Sequence, residues 1–159
     1  MGDLSHLDAR GDVHMVDVGD KATTRREATA RAVVVLPPAC VAVLAAGGDT
    51  RKGNVLQIAR IAGIQAAKRT SELIPLCHQI PLSGVDVDLT LQGDRLEIIA
   101  TARCLGQTGV EMEALLAAST AALTVYDMLK AVSHDLVITD IELLAKSGGR
   151  SGTIERKPG

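Results

Sequence analysis

Three groups of residues carry the chemistry in this sequence. The first is the run Lys68-Arg69-Thr70-Ser71-Glu72-Leu73-Ile74-Pro75-Leu76-Cys77-His78, which closes an apolar helical stretch. Two cations suit the C-terminal end of a helix, and Pro75 forbids further helix while pushing Ile74 toward extended geometry. A stiff turn therefore delivers Cys77, a soft nucleophile, and His78, a titratable base, to a fixed place. The plainer alternative is a Pro-terminated helix followed by a buried thiol and a surface imidazole.

The second group lies on a long helical pattern opened by Gly109 and running through Lys130. Glu111, Met112 and Glu113 stand at its start, Asp127 and Lys130 near its end. Carboxylates in a first turn stabilise the helix dipole and need no other reason. Asp127 is different, because a negative charge near the C-terminal end is disfavoured by roughly 0.3–1 kcal/mol. Lys130 follows three residues later on the same face and can pair with it, so the two read as an acid/base pair. Glu113 and Asp127 are about four turns apart, roughly 21 Å along a helix. If both serve one reacting group, they must come from different subunits.

The third group is Lys146-Ser147-Gly148-Gly149-Arg150-Ser151-Gly152. Backbone amides of a glycine-rich loop can wrap an anion, and Lys146 and Arg150 add charge. The spacing is not that of a Walker loop. A fraying, soluble C-terminus accounts for the same residues. Arg25, Arg26, Lys52, Lys68 and Arg69 would extend an anion pocket if the fold gathers them.

Composition bounds what these groups can serve. A chain of 159 residues, 47% hydrophobic and 23% charged, suits one domain with a proper core. The expected domain spans 1–159, and its polar ends, 1–20 and 148–159, could be flexible. A net charge of -2 gives no reason to expect nucleic acid, and Tyr126 is the sole aromatic residue, which removes base stacking as a binding mode. No apolar run reaches the ~18 residues that span a bilayer, so no membrane partner is expected. Residues 1–6 lack the basic and apolar regions of a leader. Cys40, Cys77 and Cys104 are widely spaced, fit no zinc pattern and suit reduced thiols in a cytosol. The expected location is cytoplasmic.

The elements that must position the three groups follow from periodicity. Arg25 to Leu36 reads as a strand stopped by Pro37-Pro38, and Ala39 to Ala46 as a short helix ended by Gly47-Gly48. Asn54 caps a helix to about Arg69. Val85–Leu91 and Leu96–Ala102 flank Gly93-Asp94 as a hairpin, the long helix comes next, and Leu136–Leu144 is the last strand. The order β-α-α-β-β-α-β predicts an α+β fold, a ferredoxin-like sandwich with an antiparallel sheet and helices on one face. Small residues recur on both helices, at Ala59, Gly63 and Ala67 and at Ala117, Ala118, Ala121 and Ala122. They suit tight packing or, alternatively, association of subunits; a mid-helix Gly63 costs roughly 1 kcal/mol unless packing recovers it.

Several long motifs taken together resemble a known family. They are His14-Met15-Val16-Asp17-Val18, Lys52-Gly53, the run from Ala59 to Thr70, Leu73 to His78, Thr108 to Ala114, Tyr126-Asp127-Met128 with Lys130, and Leu144 to Gly149. In collinear order from about Ser5 to Gly152, they are similar to the cyclic pyranopterin monophosphate synthases, also called molybdenum cofactor biosynthesis protein C. The resemblance implies a lyase of molybdopterin synthesis that converts cyclised dihydro-GTP, made by a radical SAM enzyme, to cyclic pyranopterin monophosphate and releases pyrophosphate. It also implies a ferredoxin-like homo-hexamer, a trimer of dimers with sites at the dimer interface.

By motif, Asp127 matches the family's catalytic acid and Lys130 its neighbouring lysine, with Lys52 and Arg26 as further functional cations. Leu76, Cys77 and His78, with Met112 and Glu113, match the substrate-contacting segments. No cofactor or protein-held metal is implied; a divalent ion would ride on the triphosphate. Gln79-Ile80-Pro81 places the proline two residues later than in many members, and Arg150 stands where some carry Lys. A catalytically silent nucleotide-binding protein is the competing class, and a nucleic-acid module a distant third.

Overall fold

A computed structural model of the chain describes residues 7–8, 10–149 and 152–156. The first long strand, β1 (Thr24–Val35), places Ala28, Ala30, Ala32 and Val34 on one face, and all four are buried. Pro37 and Pro38 end it and open α1 (Pro38–Ala45). Next comes a miniature hairpin, β2 (Asp49–Thr50) with β3 (Gly53–Asn54), which sequence periodicity did not reveal because each strand is only 2 residues long. Asn54 then caps α2 (Val55–Lys68) by accepting a hydrogen bond from the Gln57 amide at 3.1 Å, an arrangement worth about 1 kcal/mol.

The approach to Cys77 differs from the expectation. Helix α2 stops at Lys68, and a separate short turn of helix, α3 (Thr70–Leu73), intervenes before Pro75. The buried Thr70 hydroxyl donates to the Ala67 carbonyl at 3.0 Å and marks that break. Ile74 is extended, and the Cys77 amide donates to its carbonyl at 3.1 Å. This closes a four-residue turn with Pro75 at its second position, where the fixed proline φ is favoured.

A hairpin of β4 (Leu82–Gln92) and β5 (Arg95–Gly106) turns at Gly93, whose φ is 61°. Helix α4 (Glu111–Leu129) begins two residues after the expected Gly109, with Val110 preceding it and no side-chain cap. Strand β6 (Val137–Ser147) and a two-residue β7 (Ile154–Glu155) complete the sheet, so part of the C-terminal end pairs along β6. The sheet order is β4-β5-β1-β6-β7, with every neighbouring pair antiparallel. The four long strands with α2 and α4 thus form the expected ferredoxin-like α+β arrangement.

Polarity decides which face the helices cover. On β5, Leu96, Ile98, Ala100, Ala102 and Cys104 are buried against them. The other face carries ion pairs: Arg31 reaches Glu97 at 2.9 Å and Glu142 at 3.2 Å, and Arg103 bridges Glu27 and Asp86. The small-residue stripes resolve one way. A Cβ added at Gly63 would lie 2.9 Å from the Ala117 carbonyl oxygen and 3.4 Å from the Ala121 Cβ. The stripes of α2 and α4 therefore face each other inside the chain, which is the tight-packing reading; the alternative, that these stripes join subunits, is corrected. Helix α4 is long and apolar enough to cross a membrane by composition alone, yet it packs on the sheet with nine of its side chains buried.

Candidate active site

At the C-terminal end of α4, Asp127 sits between two ammonium groups. Lys130 Nζ is 2.7 Å from Oδ1, and Lys52 Nζ is 3.1 Å from Oδ2 and also donates to the Asp127 carbonyl at 3.1 Å. Lys52 arrives from the β2–β3 turn, which is shaped by the Thr50 hydroxyl donating to the Gly53 carbonyl at 2.8 Å. Gly53 has a φ of 113°, a conformation that favours glycine. The hydrogen bond from Lys130, then that from Lys52, holds the Asp127 carboxyl below the usual carboxylate range. Lys130 is raised in turn by Asp127. All three side chains are about half exposed. An ionised carboxylate flanked by ammonium donors can accept a proton at one point and supply cationic charge at another.

The other end of α4 meets the Pro75 turn. Leu76, Cys77, His78, Met112 and Glu113 line a cavity of about 250 Å³, with Val16 and Val18 forming a further wall. Glu113 is only 3% exposed, and burial, helped by the charge of Glu111, pushes its carboxyl up to about 7. Near neutral pH it therefore occupies both protonation states, so it can donate or accept a hydrogen bond from a ligand. Burial and the Glu113 charge push the Cys77 thiol up. Both causes oppose the thiolate form. His78 Nε2 donates to the Val16 carbonyl at 2.6 Å.

A larger cavity, about 670 Å³, shares Lys21, Thr108, Gly109 and Glu111 with the smaller one. Arg26 lines it, donating from Nε to the Gly106 carbonyl at 3.4 Å and from Nη2 to the Gln107 carbonyl at 3.3 Å. Neutral carbonyls hold that guanidinium, and no carboxylate pairs with it among the described residues. Lys146 pairs with Glu111 at 2.7 Å. Gly148 and Gly149, at φ of 92° and 76°, let the loop lie directly on Arg25 and Arg26, where a Cβ would clash. Arg150 and Ser151 of the expected anion loop lie outside the described residues. Thr24 lines the same cavity, and its buried hydroxyl has no hydrogen-bond partner among the described residues.

The nine candidates thus fall into two groups. Asp127, Lys130 and Lys52 form one; Leu76, Cys77, His78, Met112, Glu113 and Arg26 line the joined cavities at the other end. Sequence reasoning missed Lys21 and Gln107, which have no periodic signal, and gave Val16 and Val18 no site role although they stand in the His14–Val18 motif. Among the described residues no cluster of His, Cys, Asp or Glu could hold a metal ion.

A carboxylate held between two ammonium groups, and two joined cavities lined by charged and polar side chains, sit on a ferredoxin-like frame and suit an enzyme for a small polar substrate. Residues 15–149 match the MoaC family, and the chain belongs to it. It is 59% identical over 156 residues to a cyclic pyranopterin monophosphate synthase of Chloroflexus aggregans, covering 97% of this chain and 94% of that protein. A cyclic pyranopterin monophosphate synthase 2 of Mycobacterium bovis is 55% identical, over 98% of this chain and 93% of its own. The synthase of Herpetosiphon aurantiacus is 54% identical, over 96% and 93% respectively.

Proposed function

We propose that this chain is a cyclic pyranopterin monophosphate synthase of molybdenum cofactor biosynthesis. It converts cyclised dihydro-GTP to the cyclic monophosphate with loss of pyrophosphate. It acts as a single 1–159 domain assembled into a cytoplasmic homo-hexamer, a trimer of dimers. The observation that carries this reading is the placement of the two residue groups at opposite ends of α4. Neither is a complete reaction centre, and a second copy can supply to each what it lacks.

In such a shared pocket, the Glu113 carboxyl and the Cys77 and His78 segment hold the purine-derived ring, with Met112 and Leu76 as apolar walls. Arg26 offsets charge on the phosphates. Asp127 takes up a proton as the ring rearranges and the cyclic phosphate closes, and Lys130 and Lys52 stabilise the negative charge that develops on the leaving pyrophosphate. Closing the cyclic phosphate forms one P–O bond to a sugar oxygen and breaks the one to the departing pyrophosphate, so the attacking hydroxyl must lose a proton. Incubation with cyclised dihydro-GTP should release pyrophosphate and yield a product that oxidises to a fluorescent pterin. Absence of both with the assembled protein overturns the proposal.

A further inference from the structure

Residues 13–20 run along the Glu113 cavity without forming helix or extended ladder. Val16 and Val18 are half-buried and line the cavity, whereas the residues around them are exposed. A tight turn ends the segment, with the Gly19 amide donating to Asp17 Oδ1 at 2.8 Å and the Lys21 amide to the Val18 carbonyl at 3.0 Å. Among the described residues, two hydrogen bonds join this segment to the rest of the chain, one to the loop after Pro75 and one to the loop after β5. One runs from His78 Nε2 to the Val16 carbonyl at 2.6 Å, the other from Gln107 Nε2 to the Gly19 carbonyl at 3.0 Å. A wall held by two side-chain hydrogen bonds and two half-buried valines opens far more cheaply than the core.

We propose that His78 is a positioning residue that seats residues 13–20 as a releasable strap over the Glu113 cavity. A carbonyl can only accept, so Nε2 must carry the proton, and that nitrogen is engaged with the strap. That nitrogen therefore acts through Val16 and Val18, closing the cavity over a planar, ring-bearing nucleotide substrate and excluding water, while the Cys77 and His78 segment itself remains in the wall that meets the ring. Gln107 holds the far end of the same strap beside the larger cavity. Substrate enters when the strap lifts, and the His78 bond reseats it.

The kinetic arm of the test rests on the synthase reading; the structural arm does not. Trypsin cleavage after Lys21, at the end of the strap, reports how often the strap lifts in the assembled protein. His78→Ala should speed that cleavage about fivefold, the scale of one lost hydrogen bond. His78→Gln keeps an N–H donor near Nε2 without a titratable ring and should return cleavage to within about twofold of the unsubstituted protein. In turnover of cyclised dihydro-GTP, His78→Ala should raise KM more than it lowers kcat, and His78→Gln should recover most of the KM loss. Unchanged cleavage in His78→Ala overturns the strap. Protected cleavage with turnover as poor as that of His78→Ala in His78→Gln overturns the positioning role and puts the ring in the chemistry. If the unsubstituted protein does not turn over this substrate, the synthase reading fails, while the cleavage comparison still decides the strap.

Discussion

Glu113 and Asp127 stand on the same helix, fourteen positions apart, and belong to different clusters. The straight-line separation along α4 is about 21 Å. Glu113 is buried beside Cys77, with its carboxyl pushed up to about 7, whereas Asp127 is half exposed, with its carboxyl held low by Lys130 and Lys52. One helix thus carries two carboxylates of opposite character, pointed at separate places. A reaction that uses both must unite two chains.

That geometry predicts complementation. Inactive Glu113→Ala and inactive Asp127→Ala proteins, mixed in equal amounts with subunit exchange allowed, should regain activity. One pocket in four would be intact on average for random pairing, so pyrophosphate release should approach about a quarter of the unsubstituted rate. No recovery despite demonstrated exchange would mean that the pocket is built within one chain.

Asp127→Asn should retain the fold and the assembly while losing nearly all turnover, because the amide cannot take up the proton. The ion pairs it breaks are solvent-exposed, so the melting temperature should move little. Turnover near that of the unsubstituted enzyme would remove Asp127 from the chemistry.

Glu113→Gln makes a prediction about pH and stability. The folded chain keeps a proton on Glu113 up to about 7, whereas the unfolded chain releases it near 4.5. Between those values the folded state binds more protons, so the carboxyl lowers stability progressively as pH rises and by a constant amount above about 7. At pH 8 the glutamine variant should be the more stable, by on the order of 2 kcal/mol, with the gap narrowing toward pH 5. Melting curves at the two pH values measure this, and a gap that widens on acidification would contradict it.

Gly63→Ala tests the contact between the two long helices. The added methyl would press on the Ala117 carbonyl oxygen, at 2.9 Å, and on Val87 Cγ2, at 3.1 Å. Overpacking of that kind costs ~1–3 kcal/mol, against a helix-propensity gain of about 1 kcal/mol. A net loss on the order of 1 kcal/mol is expected in denaturant titrations, and a stabilised variant would show that the helices can move apart freely.

Much of the architecture could be read directly from residue patterns, because each pattern reflects a local rule. Period-two alternation marked the β4–β5 hairpin, Pro37-Pro38 ended β1, and Asn54 opened α2. The pairing of Asp127 with Lys130 is likewise local, since residues three apart share a helix face. Short elements carry no such signal: β2, β3 and β7 span 2 residues each, and α3 spans 4. Only the tertiary structure decided what those elements bring together. The β2–β3 turn carries Lys52 to Asp127, 75 residues away in the chain. The environment of Glu113 was equally hidden, because a carboxylate in a first helical turn looks the same whether it meets water or a cavity wall. The small-residue stripes were visible in the sequence, but their partner was not. Spacing specifies which face of a helix is flat, and only packing determines whether the opposing flat face belongs to the same chain or to another.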